Sequence, residues 1–492
     1  MFMSIAKQSL TYTLIGYLGF LIGTLAALFL FPQDMEFYGK LRFILPTAEM
    51  MAPFVVFGIS FTGVKFFSNF ESAGKTNSLL TVSLLLVLVN FLLFLGFFSV
   101  FFKIFPEKKS LEIWRYRYTI IPLILLIALS QIFNKFLTNF KRIAVSNIFD
   151  SIFPKLANIG AFCLFFFAGM SEQFALSFFV MVFFSALMGY GLYTRRIHGI
   201  RPDFSLEVFR KNRLYRAMFS YSLFGFLGNI GNYIAFRIDN YMIGEHISMA
   251  QNGVYSTLLN IMSLIMIPQM GIHNISAPII NKSLENRDME ELDRFYKGTS
   301  LSLFFLGVVL FSCILSGFPY LTHFIKNGDQ LREAEPVIWL LGSAMLFDLA
   351  TGFNGHIISL SRYYRLNIVV MLLLAATTIL LNYLFIRHTK LGIIGVALAT
   401  AISLTIFNIV KVCFNYVKFR VLPFTMEMGF LLIVSGLAIT LVILLPNFQN
   451  PLINLFYKPA VSLAFILTGN YFLQIFPLKQ YLKQTFLGKF LP

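Results

Sequence analysis

The groups with the most chemistry in this sequence are charges set into apolar surroundings. The stretch IAFRIDNYMIG, Ile234 to Gly244, carries Arg237 and Asp239 two positions apart. On a helix, residues at i and i+2 do not face each other, so the two cannot form a simple intrahelical pair. At about 100° per residue, Ser222, Gly225, Asn229, Asn232, Tyr233, Arg237, Asp239 and Asn240 fall within roughly half of the circumference. Leu223, Leu227, Ile230, Ile234, Ile238 and Tyr241 take the other side. Two readings stand side by side. Arg237 and Asp239 snorkel to an interface, or they line the outer part of a cavity in which Arg237 meets an anionic ligand.

Other embedded charges pose the same choice. Lys155 lies about 10 Å inside its apolar segment at 1.5 Å per residue; it snorkels, pairs with Asp150 or contacts a ligand. Glu49 shares a face with Arg42, Pro53 and Ser60, and is either a packing partner for a cation on another helix or a functional acid. Asp348 is the deepest acid, and so costly a position favours proton or ion linkage over a structural hydrogen bond. Ser256, Asn260, Ser263 and Asn274 form a narrow polar stripe, interrupted by Pro268 and Gly271, where a kink is expected. Ser151, Lys155 and Asn158 cluster on one face, and Tyr12, Gly16, Gly19, Gly23 and Ala26 make a small-residue stripe suited to close helix packing. Polar faces of this kind turn to a bundle interior or a water-filled cavity.

The elements that carry these residues are membrane helices. The chain has 492 residues, of which 58% are hydrophobic and 12% charged, with 60 Phe and a mean hydropathy of +0.76. Soluble proteins carry about 25% charged residues, and there is no long polar block to form a separate soluble domain. Apolar runs recur that reach the roughly 20 residues needed to cross a bilayer, and in lipid such runs must be helices. Fourteen spans are predicted, at 10–31, 43–63, 78–102, 118–137, 148–169, 173–193, 217–240, 252–280, 299–320, 336–360, 366–386, 392–417, 428–446 and 459–476. The first is read as an uncleaved span. Cys163, Cys313 and Cys413 fall inside spans with no metal-ligand spacing, so neither a disulfide framework nor a metal site is expected.

With a cytoplasmic N-terminus, the cytoplasmic segments hold about twice as many Lys and Arg as the opposite side. The loop TRRIHGIRPDFSLEVFRKNRLYR contributes most, while KIFPEKKSLEIWRYR, on the outside, disagrees. Both termini are then cytoplasmic. The net charge of +17 reads as a cytoplasmic face set against anionic membrane lipids, with no nucleic-acid partner. Six spans before the long loop and six after it predict a parallel pseudo-repeat about an axis along the membrane normal. YGKLRFILPTAEMMAPFVVFG resembles NGVYSTLLNIMSLIMIPQMG in its spacing of Gly, Pro and Gly. The expected division is a six-helix bundle at 1–197, a cytoplasmic linker at 198–216, a second six-helix bundle at 217–417, and an appended helix pair with a basic C-terminal tail at 418–492.

Three strings carry a family resemblance: GYLGFLIGTLAALFLFPQDMEFYGKLR with the APFVVFGISFTGVKFFSNF that follows, RIDNYMIG, and LGIIGVALATAISLTIFNIVK. Over about residues 5 to 420 the chain resembles Wzx-type oligosaccharide flippases, the polysaccharide-transporter branch of the MOP superfamily. The resemblance implies an all-α integral membrane fold of two bundles around a central cavity. It also implies a non-enzymatic function in the bacterial inner membrane: carrying undecaprenyl-pyrophosphate-linked oligosaccharide, such as an O-antigen unit, from the cytoplasmic to the periplasmic leaflet. The family's cationic cavity is matched by Arg42, Lys155 and Arg237, with Asn229, Asn232 and Asn260 as partners for sugar hydroxyls. Asp348, Glu49 and Asp239 are candidates for coupling or gating. No cofactor is expected, proton or sodium coupling stays open, and polysaccharide-assembly membrane proteins are conceivable partners. The alternatives are a MATE-like drug or cation antiporter, disfavoured by fourteen spans and three basic residues, and a membrane glycosyltransferase or polymerase, disfavoured because the outer loop 103–117 is short and has no paired acids.

Overall fold

The structure, a computed structural model, describes residues 5–478. Residues 479–492, within the expected basic tail, lie outside the described residues, as do the side chains of Tyr12 and Asn274. The described regular structure is entirely helical, as the hydrophobic runs require. Ten helices are long and apolar enough to cross a membrane, or twelve when each of two sharply bent pairs counts as one span. The other two expected spans fall on less apolar segments. Leu214–His246 is a 33-residue helix that carries Asn229, Asn232, Arg237, Asp239 and Asn240. Met249–Ser263 and Ile267–Asn286 are separated by a 3-10 turn at Leu264–Met266, with Pro268 opening the second helix. The expected kink is therefore a break just ahead of the proline, whose ring cannot continue the preceding turn. The count of fourteen rests on these two segments.

The bent pairs have local causes. Met35–Val56 ends where Phe57 and Gly58 both take left-handed backbone, at φ 47° and 70°, and Ile59–Lys65 leaves at 57°. Gly58 suits such a turn, and a methyl group there would sit 2.0 Å from the Ser222 carbonyl oxygen. The second pair, Glu335–Ala350 and Asn354–Leu360, bends by 48° around Gly352 at φ 57°.

Contacts divide the chain into two compact units. The first ends at Thr257 and adds Met371–Ile393; the second holds Leu258–Val370 and the chain from Ile394 on. At the centre of the first unit is Met35–Val56, packed against Arg117–Asn139 and Leu214–His246. Leu41, Phe43, Ile44, Ala48, Ala52, Val55 and Val56 along it are fully buried. Gly39 and Gly253, which open the two similar segments of the sequence, meet reciprocally. A methyl group on Gly39 would lie 1.6 Å from the Met249 carbonyl oxygen, and one on Gly253 would lie 2.1 Å from that of Met35. Asn252 Nδ2 donates to the Gly39 carbonyl at 2.9 Å. The shared glycine is thus used twice, once from each side of the same helix crossing, where only a residue without a side chain lets two backbones approach.

In the second unit, Met289–Leu321 packs against Glu335–Ala350, Met426–Leu444 and Pro451–Leu473. Buried Lys458 donates to the carbonyls of Val442 and Leu445, each at 2.8 Å. A cation on the terminal carbonyls of a helix satisfies acceptors that the helix itself cannot, and here it ties the last two helices together.

Candidate functional site

The first unit resolves the two charges of Leu214–His246 separately. Arg237 Nε lies 2.5 Å from Glu49 Oε2 of Met35–Val56, so Glu49 is the packing partner of a cation on another helix. Asp239 points elsewhere and is buried. Its carboxylate accepts from the Tyr255 hydroxyl at 2.7 Å and from Asn382 Nδ2 at 2.8 Å. Next to it, Asn240 Nδ2 donates to Asn252 Oδ1 at 2.9 Å and to Ser256 Oγ at 2.7 Å. The i, i+2 spacing is what sends the two charges to different helices.

Arg42 and Lys155 are in a different condition. Among the described residues neither has a carboxylate within 4.0 Å. They are close enough for their charges to oppose each other, and Arg42 Nε is buried without a hydrogen-bond partner. Lys155 Nζ donates to the Ser151 carbonyl at 2.6 Å rather than to Asp150. Of the alternatives open for Lys155, pairing with Asp150 is therefore not the one the structure takes. The lysine stem runs along the helix Ile5–Leu25. A methyl group on Gly19 would lie 3.6 Å from Lys155 Nζ, and one on Gly23 would lie 3.3 Å from its Cε. The small-residue stripe therefore makes room for a cation as well as for a helix. Two like charges in one protein interior, with no carboxylate within 4.0 Å among the described residues, favour an anion.

A cavity of about 360 Å³ opens in the same unit. Its polar lining is Glu49, Ser60, Ser130, Gln131, Asn134, Lys135, Asp150, Tyr190, Asn229 and Tyr233. Asp150 accepts from the Tyr190 hydroxyl at 2.7 Å and also from Asn134 Nδ2. Gln131 Nε2 donates to the Tyr233 hydroxyl at 3.4 Å. Amides, phenols and carboxylates on rigid helices match the donors and acceptors of hydroxyl-rich ligands. Of the sequence candidates, Glu49 and Asn229 line this cavity, whereas Asn232 is exposed. Gln131, Asn134 and Lys135 were missed, although their i, i+3, i+4 spacing is a polar stripe like those singled out elsewhere.

Asn260 and Asp348 belong to the second unit. Asn260 is half-buried, and its carbonyl accepts from Ser263 Oγ at 2.6 Å. Asp348 heads a chain of amides. Asn408 Nδ2 donates to Asp348 Oδ1 at 2.8 Å, Asn354 Nδ2 donates to Asn408 Oδ1 at 3.0 Å, and Asn415 Nδ2 donates to the Asn354 carbonyl at 3.0 Å. Lys411, on the same helix as Asn408 and Asn415, is 4% exposed. Its ammonium stands 3.6 Å from the centre of the Phe407 ring and within the electrostatic reach of Asp348. Lys411 falls inside the predicted span 392–417 and is not among the sequence candidates; Asn408 and Asn415 at i−3 and i+4 are the signal that marks it.

Among the described residues no group of three or more His, Cys, Asp or Glu could hold a metal ion, and Cys163, Cys313 and Cys413 are free. Residues 5–265 match the family of polysaccharide biosynthesis proteins. The chain belongs to that family. The matched stretch of this polysaccharide biosynthesis protein includes Arg42, Glu49, Lys155, Arg237 and Asp239. Its fold is that of MOP-superfamily transporters. It is similar to the lipid II flippase MurJ in an inward closed conformation, at 14% identity and a TM-score of 0.67, over 95% of this chain and 98% of that one. It is also similar to an inward-facing multidrug resistance MATE transporter of the MOP superfamily, at 13% identity and 0.64, over 82% and 94%. A MOP-superfamily transporter from Pyrococcus furiosus, described by the reverse polarity of its binding pocket, aligns at 13% identity and 0.50, over 84% and 96%. At these identities the likeness is one of fold. No curated protein sequence matches the chain.

Proposed function

We propose that this protein is a flippase that carries undecaprenyl-pyrophosphate-linked oligosaccharide from the cytoplasmic to the periplasmic leaflet of the bacterial inner membrane by alternating access. The observation that carries the reading is the pair Arg42 and Lys155, two interior cations with no carboxylate of their own among the described residues. A pyrophosphate offers what they lack, through charge-assisted hydrogen bonds. A glycan headgroup cannot cross hydrocarbon unaided, because each unpaired hydroxyl costs several kcal/mol. The amides and phenols of the neighbouring cavity are suited to replace its water. Outward movement of an anion also runs with a negative-inside potential, by about 2.3 kcal/mol per charge per 100 mV.

Arg237 then has a secondary role in this reading, since Glu49 already neutralises it. Asp239 and Asp348, each held by asparagine amides, are the candidates for proton or sodium coupling. The basic 194–216 loop and both termini are cytoplasmic. The test is deletion of the gene followed by analysis of lipid-linked glycan on each membrane face. Accumulation of the cytoplasmic-facing intermediate supports a flippase. Loss of polymer with normal appearance of the intermediate on the periplasmic face would point to a polymerase instead.

A further inference from the structure

The loop 103–117 was the one whose cations ran against the charge asymmetry, and its structure gives those cations a use. Arg117 is sandwiched, with Cζ 4.2 Å from the ring centres of both Trp114 and Tyr118. It donates to the Trp114 carbonyl at 2.7 Å and to the Tyr118 hydroxyl at 2.9 Å. Lys109 Nζ stands 5.5 Å from the Trp114 ring and Arg115 Cζ 5.6 Å from the Tyr116 ring. Glu245 fixes the loop by accepting from the backbone N–H groups of Glu112 and Ile113, at 2.8 and 3.3 Å. These cations sit on a built shelf rather than on a free loop.

Behind the shelf is a cleft of about 700 Å³ between the first turns of Arg117–Asn139 and Glu172–His198. Arg115, Tyr116, Tyr118, Thr119, Gln173 and Ser177 supply its polar groups, and Leu176 and Val180 its apolar floor. Glu172, also at the rim, is committed to Lys40 at 3.0 Å. Tyr116 is only 5% exposed, and its hydroxyl interacts with the Glu172 carboxylate at the rim. Burial, with the Glu172 carboxylate nearby, pushes its phenol up from the ordinary value, so it stays a donor.

A basic polar rim over an apolar floor, at the level where two membrane helices begin, has the shape and charge of a phospholipid site. We propose that this cleft binds one anionic phospholipid with a hydroxyl-bearing headgroup, of the phosphatidylglycerol class. The phosphate meets Arg115, whose one carboxylate contact among the described residues is the long 3.5 Å one with Glu112 Oε1, the headgroup hydroxyls meet Tyr116, Thr119 and Gln173, and an acyl chain lies along Leu176 and Val180. The bound lipid braces the two helices against each other on the face away from the 194–216 loop. The inference does not depend on the substrate proposed above.

The test uses the full chain reconstituted with equal parts of phosphatidylglycerol and phosphatidylethanolamine, then stripped stepwise with detergent and followed by native mass spectrometry. The wild type retains one phosphatidylglycerol. Arg115→Gln retains it about tenfold less well, the worth of one charge-assisted contact, and Leu176→Trp, which fills the floor, loses it. Arg216→Gln, in the opposite loop, behaves as wild type. A second readout needs no cleft variant. Trp114 is one of two tryptophans, so in a Trp339→Phe background its emission is quenched more by chain-brominated phosphatidylglycerol than by chain-brominated phosphatidylethanolamine. Equal retention and equal quenching by both lipids would overturn the proposal and leave an ordinary interfacial aromatic belt. Displacement of the lipid by water-soluble glycerol phosphate at the same concentration would also overturn it, because the floor would then contribute nothing.

Discussion

Glu49 Oε2 and Arg237 Nε lie 2.5 Å apart on two helices of the first unit, and this contact takes Arg237 out of the set of uncompensated cations. Removing either partner leaves the other charge half-buried and alone, which costs on the order of 1–3 kcal/mol. Arg237→Gln and Glu49→Gln should each lower the thermal stability of the purified protein. The double variant should lose clearly less than the sum, with a coupling of about 0.5–3 kcal/mol. Additive losses would mean that the ion pair contributes nothing to folding.

The crossing of Met35–Val56 with Met249–Ser263 allows no side chain at Gly39, where a methyl group would overlap the Met249 carbonyl. Gly39→Ala should cost several kcal/mol, because backbone must move to admit it, and the yield of inserted protein should fall sharply. Gly96→Ala, which meets nothing within 4 Å, should be neutral. Equal yields of the two variants would count against this helix crossing.

In the second unit, Asp348 and Lys411 are buried charges of opposite sign on facing helices. If Asp348 carries the coupling ion, Asp348→Asn abolishes ion-dependent transport while expression stays near normal. Lys411→Met should destabilise by leaving the acid uncompensated, and Asp348→Asn in that background should restore stability. Transport measured with and without an imposed proton or sodium gradient separates the roles. Unchanged gradient dependence in Asp348→Asn would return the acid to a structural one.

Orientation is checked directly. A reporter fused after residue 205 should be cytoplasmic and one near Glu172 periplasmic, as the basic 194–216 loop requires. The reverse pattern would overturn the orientation proposed above.

The sequence made the helices and their polar faces legible, because hydrophobic length and periodicity act locally. Pro53 and Gly58 in one bent segment, and Pro268 near the break of another, were legible for the same reason. Partnerships were not. Glu49 and Arg237 are far apart in the chain, and only the packing of Met35–Val56 on Leu214–His246 brings them together. The reading of Glu49 as a partner for a distant cation anticipated the type of contact but not its identity. Asp150, one of the partners the sequence leaves open for Lys155, is held by Asn134 and Tyr190 instead, while Lys155 bonds back to the Ser151 carbonyl. Lys135 and Lys411 are not among the sequence candidates; both lie inside helices, among polar groups that arrive from other parts of the chain.

The central claim is that Arg42 and Lys155 together recognise the phosphates of a lipid-linked glycan. The most direct measurement is the amount of lipid-linked oligosaccharide on each membrane face in cells carrying Arg42→Gln with Lys155→Gln, at wild-type levels of folded protein. Each lost charge-assisted contact is worth about tenfold or more. The double variant should therefore accumulate cytoplasmic-facing intermediate as a deletion does, and Arg42→Lys with Lys155→Arg should recover part of the export because charge survives although geometry changes. Wild-type export by the double glutamine variant would contradict the claim.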